Sequence, residues 1–339
     1  MDGQAEGALI QASRAGDETS FQKLVGTHRS SLRAHCYRLL GSVADADDAL
    51  QETLVAAWQG LSSFEGRSAL RTWLFTIATH ACIRLVSRRP GRLSPIDRAP
   101  PSDPRADLPE LVLEPIWLEP YADDPVLSEA VSSPEALYSE RESVELAFVA
   151  ALQLLPATQR AVLVLRDVLG FSAQETAKTL DTSVASTNSA LQRARQTLEQ
   201  RGLERSQAAN RHALGAEAER DLVATFIAAW SRADVDGIVE LLADDATFTM
   251  PPLPCWFQGR EALRIFLAER VFALSWRFLE ISANGQPAMA AYQWDEATKI
   301  FRFNVVNVFE LRRDRVAGIH AFLDTNPEPF GLARDWSGA

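Results

Sequence analysis

Between Phe171 and Arg195 the chain carries a pattern that few folds can use: two short helices joined by a tight polar turn. Ser172 and Glu175 have capping-box spacing, which predicts a helix opening at Ala173 with its free N–H groups satisfied. Ala177 and Leu180 give that helix an apolar side. Asp181, Thr182 and Ser183 supply turn and N-cap chemistry, and a second helix is predicted from Val184 towards Glu199. Val184, Thr187, Leu191, Ala194 and Leu198 recur at helical spacing and are expected to face inward. Ser186, Asn188, Ser189, Gln192, Arg193 and Arg195 remain outside, short hydrogen-bonding groups first and cations later. Such a hairpin offers its second helix to the major groove of DNA. An ordinary helical hairpin with a solvated side explains the same spacing taken alone.

A formal net charge of −11 over 339 residues argues against nucleic acid until it is divided along the chain. Residues 1–98 carry +2, residues 99–143 carry −9, residues 144–206 carry +1 and residues 207–339 carry −5. The parts with candidate DNA-facing elements are mildly basic, so phosphate neutralisation by the isolated chain is modest and a partner must supply the remaining affinity. There is no run of 18 apolar residues and no charged-then-apolar leader, which leads to the expectation of a cytoplasmic protein with no membrane partner. Cys36, Cys82 and Cys255 are odd in number and far apart, arguing against a disulfide framework. His35-Cys36 and His80-x-Cys82 lack a usual zinc spacing, so no metal or other cofactor is expected.

Residues 8–92 read as helices. Phe21, Leu24, Val25, Leu32, Cys36, Leu39 and Leu40 form one stripe, broken at Gly41-Ser42. A second helix begins near Asp45, with Ala49, Leu50, Thr53, Leu54, Ala57, Trp58 and Leu61 inward, and Asp45, Asp47, Asp48, Gln51 and Glu52 polar. A third, about 70–86, ends in a basic stop. Residues 93–143 are acidic and proline-rich, the composition of a linker. Within them Ile116-Trp117-Leu118-Glu119-Pro120-Tyr121 is too apolar for a spacer and is expected to dock on a folded surface. Residues 144–203 are helical again. Past Gly215, helix-like sequence gives way to alternating aromatic-rich runs at 288–294, 300–310 and 315–323, the pattern of an α+β domain over about 212–330 with a curved antiparallel sheet.

Residues 8–92 and 144–203 together resemble regions 2 and 4 of a bacterial extracytoplasmic-function sigma factor. The resemblance implies two all-α domains, the second a helix-turn-helix, that bind core RNA polymerase and promoter DNA. Asp45-Ala-Asp-Asp-Ala-Leu-Gln-Glu-Thr-Leu-Val-Ala-Ala-Trp58 is similar to the family's polymerase-binding helix, which implies polymerase contacts for Asp45, Asp48, Gln51, Glu52, Leu54 and Trp58. An acidic, partly apolar helix suits a basic helical partner. The segment from Phe64 to Cys82 resembles the part that opens the −10 element, implying roles for Phe64, Arg67, Arg71, His80, Arg84 and Arg88; Trp73 reads as core. His80 and Arg84 stand where the family has Asn and Asp. In the −35 reader, the implied contacts are Ser186, Asn188, Ser189, Gln192, Arg193 and Arg195. Asn188 and Ala190 replace frequent cations there, which is expected to weaken phosphate anchoring.

The last third resembles a SnoaL-like cone, a fold whose apolar pocket would be lined here by Met250, Trp256, Trp276, Trp294 and Phe303, with His320 and Asp324 as a candidate base pair. Plain core packing explains most of these aromatics equally well, and the fold does not fix the function. The leading expectation is a non-enzymatic initiation factor controlled by its own C-terminal domain, through a ligand or through contact with the sigma regions involving Trp117 and Tyr121. An isomerase or cyclase, and a ligand-sensing helix-turn-helix regulator, are the alternatives; the second leaves the 45–58 block unexplained.

Overall fold

The computed structural model describes residues 3–66, 68–88, 91–114, 116–123, 144–200 and 215–336. They fall into two compact units, one drawn from 1–91 and 151–202, the other from 92–123, 144–150 and 203–339.

The first unit is all-α. Its helices are α1 (Gly3–Arg14), α2 (Glu18–Leu40), α3 (Val43–Gly60) and α4 (Leu70–Val86). After them come the end of α5 (Leu146–Gln153), α6 (Ala157–Leu163) continued by a π-turn at Val164–Val168, α7 (Ala173–Thr179) and α8 (Val184–Gln200). Gly41 stops α2 in the left-handed conformation, its N–H bonded to the Tyr37 carbonyl at 2.7 Å. Ser42 then caps α3 by accepting the Asp45 N–H at 3.2 Å. The break foreseen at Gly41-Ser42 is therefore a paired stop and start.

The second unit holds α9 (Ala216–Ser231), α10 (Val235–Leu241), α11 (Arg260–Phe266) and a six-stranded sheet ordered β2-β1-β6-β5-β4-β3. The strands are β1 (Leu242–Thr249), β2 (Trp256–Gln258), β3 (Trp276–Ala283), β4 (Gln286–Asp295), β5 (Ile300–Arg312) and β6 (Arg315–Leu323). Four pairings are antiparallel, but β1 runs parallel to β6, so the sheet is mixed where an antiparallel one was expected. The helices between β1 and the later strands provide the crossover that a parallel pair needs.

One face of the sheet buries Met289, Ala291, Phe309, Ile319 and Ala321 against Phe226 and Trp230 of α9 and Leu263 and Phe266 of α11. The opposite face carries Val306, Val308 and Phe322, covered by Leu146, and Ala290 and Tyr292, covered by Leu332 and Trp336. Up to residue 123 the expected linker belongs to the second unit. Leu93 bridges to Trp117, the Trp117 indole N–H donates to the Val112 carbonyl at 2.8 Å, and the Val112 N–H donates to the Pro252 carbonyl at 3.0 Å. Trp117 and Tyr121 thus pack within the second unit itself. Residues 124–143 lie outside the described residues.

Candidate functional site

Helix α3 buries Ala46, Ala49, Leu50, Thr53 and Ala57, and half-buries Leu54 and Trp58; the Trp58 ring meets Phe21 edge-on at 5.0 Å. Asp48, Gln51, Glu52, Val55 and Gln59 form its free face. Asp45, expected among the free acids, is only 4% exposed: it precedes Ala49 by four residues and so shares the buried stripe. Asp47 is held by Arg33 at 2.6 and 3.0 Å. Val55, 55% exposed, was missed by the sequence reading; its signal was an apolar residue four positions after Gln51, on the polar side.

The −10 candidates divide. Phe64, implied as a −10 contact, is buried against Trp73, ring centroids 4.9 Å apart. Its carbonyl accepts from Arg14, which fixes the turn before α4. Arg67 lies outside the described residues. Arg71, Arg84 and Arg88 are exposed and His80 is half-buried. The Arg71 guanidinium sits 5.0 Å from the Phe75 ring centre and 5.8 Å from that of Phe171, and Arg84 is paired with Glu52. Behind α4, His35 is fully enclosed, with Nε2 2.9 Å from the Thr79 hydroxyl; burial, reinforced by the Arg38 and Arg71 charges, lowers its pKa to about 3. Burial and contact with Cys36 push the Cys82 thiol well up. Among the described residues, no three His, Cys, Asp or Glu side chains gather as metal ligands would.

The helix-turn-helix forms as spaced. The Ser172 hydroxyl accepts the Glu175 N–H at 3.1 Å, while the Glu175 carboxylate accepts the Ser172 N–H at 2.8 Å, which also holds that carboxyl below its usual range. Asp181 takes φ 48° in the turn, and the Ser183 hydroxyl accepts the Ser186 N–H at 3.1 Å to open α8. Thr187, Ala190, Leu191 and Ala194 are buried, leaving Ser186, Asn188, Ser189, Gln192, Arg193 and Arg195 exposed. Two expectations change. Val184 is 39% exposed, because the first turn of α8 stands clear of its neighbours, and Leu198 is only half-buried. Ala190 is buried on the same stripe as Thr187 and Ala194. Arg195 is not free: it grips Asp167 with two bonds of 2.7 and 2.9 Å.

The cone candidates do not converge on one pocket. Met250 and Trp276 belong to the helix-covered face. Phe303 lies on the opposite face against Tyr292, and Trp294, two residues along β4 from Tyr292, stacks near Phe301 at 5.0 Å on that side. Trp256 alternates with the core residue Phe257 and donates its indole N–H to the Ala99 carbonyl at 2.7 Å. His320 pairs across from Val308, which puts it on the face away from the helices. Its Nδ1 is 3.1 Å from the Thr249 hydroxyl and its Nε2 is 3.8 Å from Glu310. Asp324 follows β6 in a left-handed, exposed turn; the partners of His320 are Thr249 and Glu310 instead. Alternation along β6 sends Ile319 and Ala321 to the helices and His320 and Phe322 away from them.

The β3–β4 turn holds groups that sequence reasoning did not single out. Asn284, fully buried at φ 56°, accepts the Tyr121 N–H on Oδ1 and donates from Nδ2 to the Val144 carbonyl, both at 2.8 Å. The Gln286 amide accepts the Leu146 N–H at 2.9 Å, and the Gly285 N–H donates to Asp123 at 2.7 Å. The stretch ending at Asp123 and the start of α5 are thus both bound to one turn.

Comparison with known proteins locates these elements. The family model for Sigma-70 region 2 matches residues 24–90, that for Sigma-70 region 4 matches 145–198, and that for a SnoaL-like domain matches 223–319. The chain is similar to the ECF RNA polymerase sigma factor SigG of Mycobacterium tuberculosis, 41% identical over 325 residues, covering 94% of this chain and 85% of that protein. It is 29% identical over 191 residues to the ECF RNA polymerase sigma-E factor of Escherichia coli, covering 56% of this chain and 91% of that one. The crystal structure of the extracytoplasmic function sigma factor SigJ of M. tuberculosis shares the fold, with a TM-score of 0.58 at 21% identity, over 91% of this chain and 98% of that chain.

Proposed function

The chain belongs to the extracytoplasmic-function RNA polymerase sigma factor family, and we propose how its residues divide the work of bringing core RNA polymerase to promoters. The free face of α3, with Asp48, Gln51, Glu52 and Val55, meets the polymerase, and half-buried Leu54 and Trp58 set that face's position. Opposite charge draws such a face to a basic helical partner, and Val55 gives it an apolar centre to desolvate. On α4 and just beyond it, Arg71, Arg84 and Arg88 follow the strand opened at −10. Ser186, Asn188, Ser189, Gln192 and Arg193 on α8 read the −35 duplex, the short groups and the amide at base edges and Arg193 at phosphate or guanine.

The exposed row on α8 carries this reading: five hydrogen-bonding side chains on one face of a helix whose other face is buried. Run-off transcription with core polymerase on the chain's own upstream DNA tests it. Gln192→Ala with Arg193→Ala is expected to cut specific transcript at least tenfold while co-elution with polymerase persists. A wild-type chain that never co-elutes with core polymerase sinks the assignment.

The C-terminal cone acts in this reading as a regulator rather than a catalyst, because His320 is engaged on the outer face and its neighbours Thr249 and Glu310 leave it no role with Asp324. What supports regulation is the Asn284 turn, which bonds Tyr121 and Val144, two residues that lie between region 2 and region 4 in the chain. Disturbing that turn should alter promoter output; unchanged transcription would remove the regulatory claim.

A further inference from the structure

The connection from α3 to α4 is held by a helix remote from it in sequence. Helix α3 closes at Gly60, Leu61–Ser63 add one 3₁₀ turn, and α4 starts at Leu70. Carbonyls at such a helix end have no partner within the helix. Two of them are taken by Arg14, the last residue of α1. Its Nε donates to the Leu61 carbonyl at 3.2 Å, and its Nη2 donates to that of Phe64. The Phe64 N–H also donates to the Leu61 carbonyl at 3.2 Å, so the turn and the guanidinium close on one another.

From the other side the turn meets Trp73 of α4. The Phe64 and Trp73 rings are 4.9 Å apart, and a Cβ placed on Gly60 would stand 3.3 Å from the Trp73 ring. The start of the connection is therefore clamped between α1 and α4. Past the clamp, Glu65, Gly66 and Ala69 are exposed, with Gly66 at φ 72°. A short exposed loop fixed at both ends can keep its shape against a ligand. This stretch opens the segment that the proposed function assigns to the −10 element, where an extruded base is selected by the shape of its pocket. Arg14 itself precedes residues 24–90, the part matched by the region 2 model.

We propose that Arg14 is a positioning residue for −10 recognition: it sets the backbone between Phe64 and Leu70, and through it the base preference, without touching DNA. The proposal rests on the sigma-factor reading above. The chemistry calls for arginine, because a planar guanidinium offers two donors at fixed spacing whereas an ammonium is a point charge. The Nε and Nη2 edge that would grip a phosphate with two bonds is already filled by the two carbonyls.

Run-off transcription by the full-length chain with core polymerase tests this, on its own upstream DNA and on templates with single base changes at −10 or −35. Arg14→Ala is expected to keep co-elution with polymerase and discrimination at −35. Discrimination at −10 should fall by about fivefold or more, the share that one well-read base pair carries. Arg14→Lys should lie between the two, and Arg14→Gln, which keeps length and a neutral donor, carries the same test should the alanine variant unfold. The salt slope of promoter binding should not change; a slope shallower by about one counterion would make Arg14 a DNA contact and overturn the positioning role. Unchanged −10 discrimination, or an equal fall on every template, would reduce Arg14 to a structural staple. Loss of co-elution would assign it to the seat of α3 instead. Failure of the wild-type chain to initiate on any template would defeat the sigma-factor reading itself.

Discussion

Glu52 on α3 and Arg84 on α4 are bound to each other by an ion pair, so a residue assigned to polymerase and one assigned to the −10 strand share a contact. Both side chains are about half exposed, and an exposed pair of this kind contributes about 0–1 kcal/mol to stability. Glu52→Gln should therefore leave the unfolding midpoint nearly unchanged. If Arg84 touches phosphate, Arg84→Ala should reduce the salt dependence of promoter binding by about one counterion, whereas Glu52→Gln should not. Identical effects of the two substitutions on the salt slope would reduce Arg84 to a brace for Glu52.

Arg195 is held by Asp167, and that grip withholds a cation from the face of α8 proposed to read the −35 element. Asp167→Asn is expected to release it. Binding to a −35 duplex should tighten at low salt, with the log–log salt slope steepening by about 0.9 for one added phosphate contact. A slope that stays put would show that Arg195 cannot reach the backbone from α8.

His35 sets an acid limit on the helical unit. Its folded pKa, about 3, lies below the ordinary value of 6.5, so between these values the unfolded chain binds a proton that the folded chain refuses. Stability from this group is complete above about pH 6.5 and falls as pH drops towards 3, by about 1.4 kcal/mol per pH unit. His28 shifts in the same direction through burial, and His35→Gln separates the two. Melting curves from pH 7 to 4.5 should show a shallower acid decline in the variant; an equal decline would assign the effect elsewhere.

Asn284 supplies two buried hydrogen bonds from one side chain in a left-handed turn. Asn284→Ala leaves two groups unpaired and adds backbone strain, an expected loss of about 2–4 kcal/mol. Asn284→Gly keeps the turn and removes only the amide. In that variant amide exchange at Tyr121 should accelerate, while Leu146, bonded to Gln286, should change less. Equal protection at Tyr121 before and after substitution would mean that the Asn284 amide does not hold residue 121 in place.

Short-range chemistry was readable from the sequence, and longer-range consequences were not. The Ser172–Glu175 capping box involves residues three apart and formed as spaced, and α4 spans the expected residues. The strand from Arg315 to Leu323 followed from its alternation. Asp45 was misread because an acid in a first turn satisfies the helix dipole whether or not the neighbouring helix buries it. The burial of Phe64 was not legible because its partner, Trp73, comes from the next helix. Aromatics at alternate positions announce a sheet without saying which face each occupies, and a bulge between Ala291 and Tyr292 shifts the register on β4 and β5. The parallel β1–β6 pair and the Asn284 clamp join positions far apart in sequence, where local spacing carries no information.

Because Tyr121 and Val144 bond the same amide, the stretch of chain between them leaves and returns at one place. Between Leu93 and Trp117, where the backbone is bridged directly, an added residue would shift every later contact. A residue gained or lost between positions 93 and 117 is thus the change in length that this part of the chain absorbs least, because its paired ends fix how many residues must lie between them.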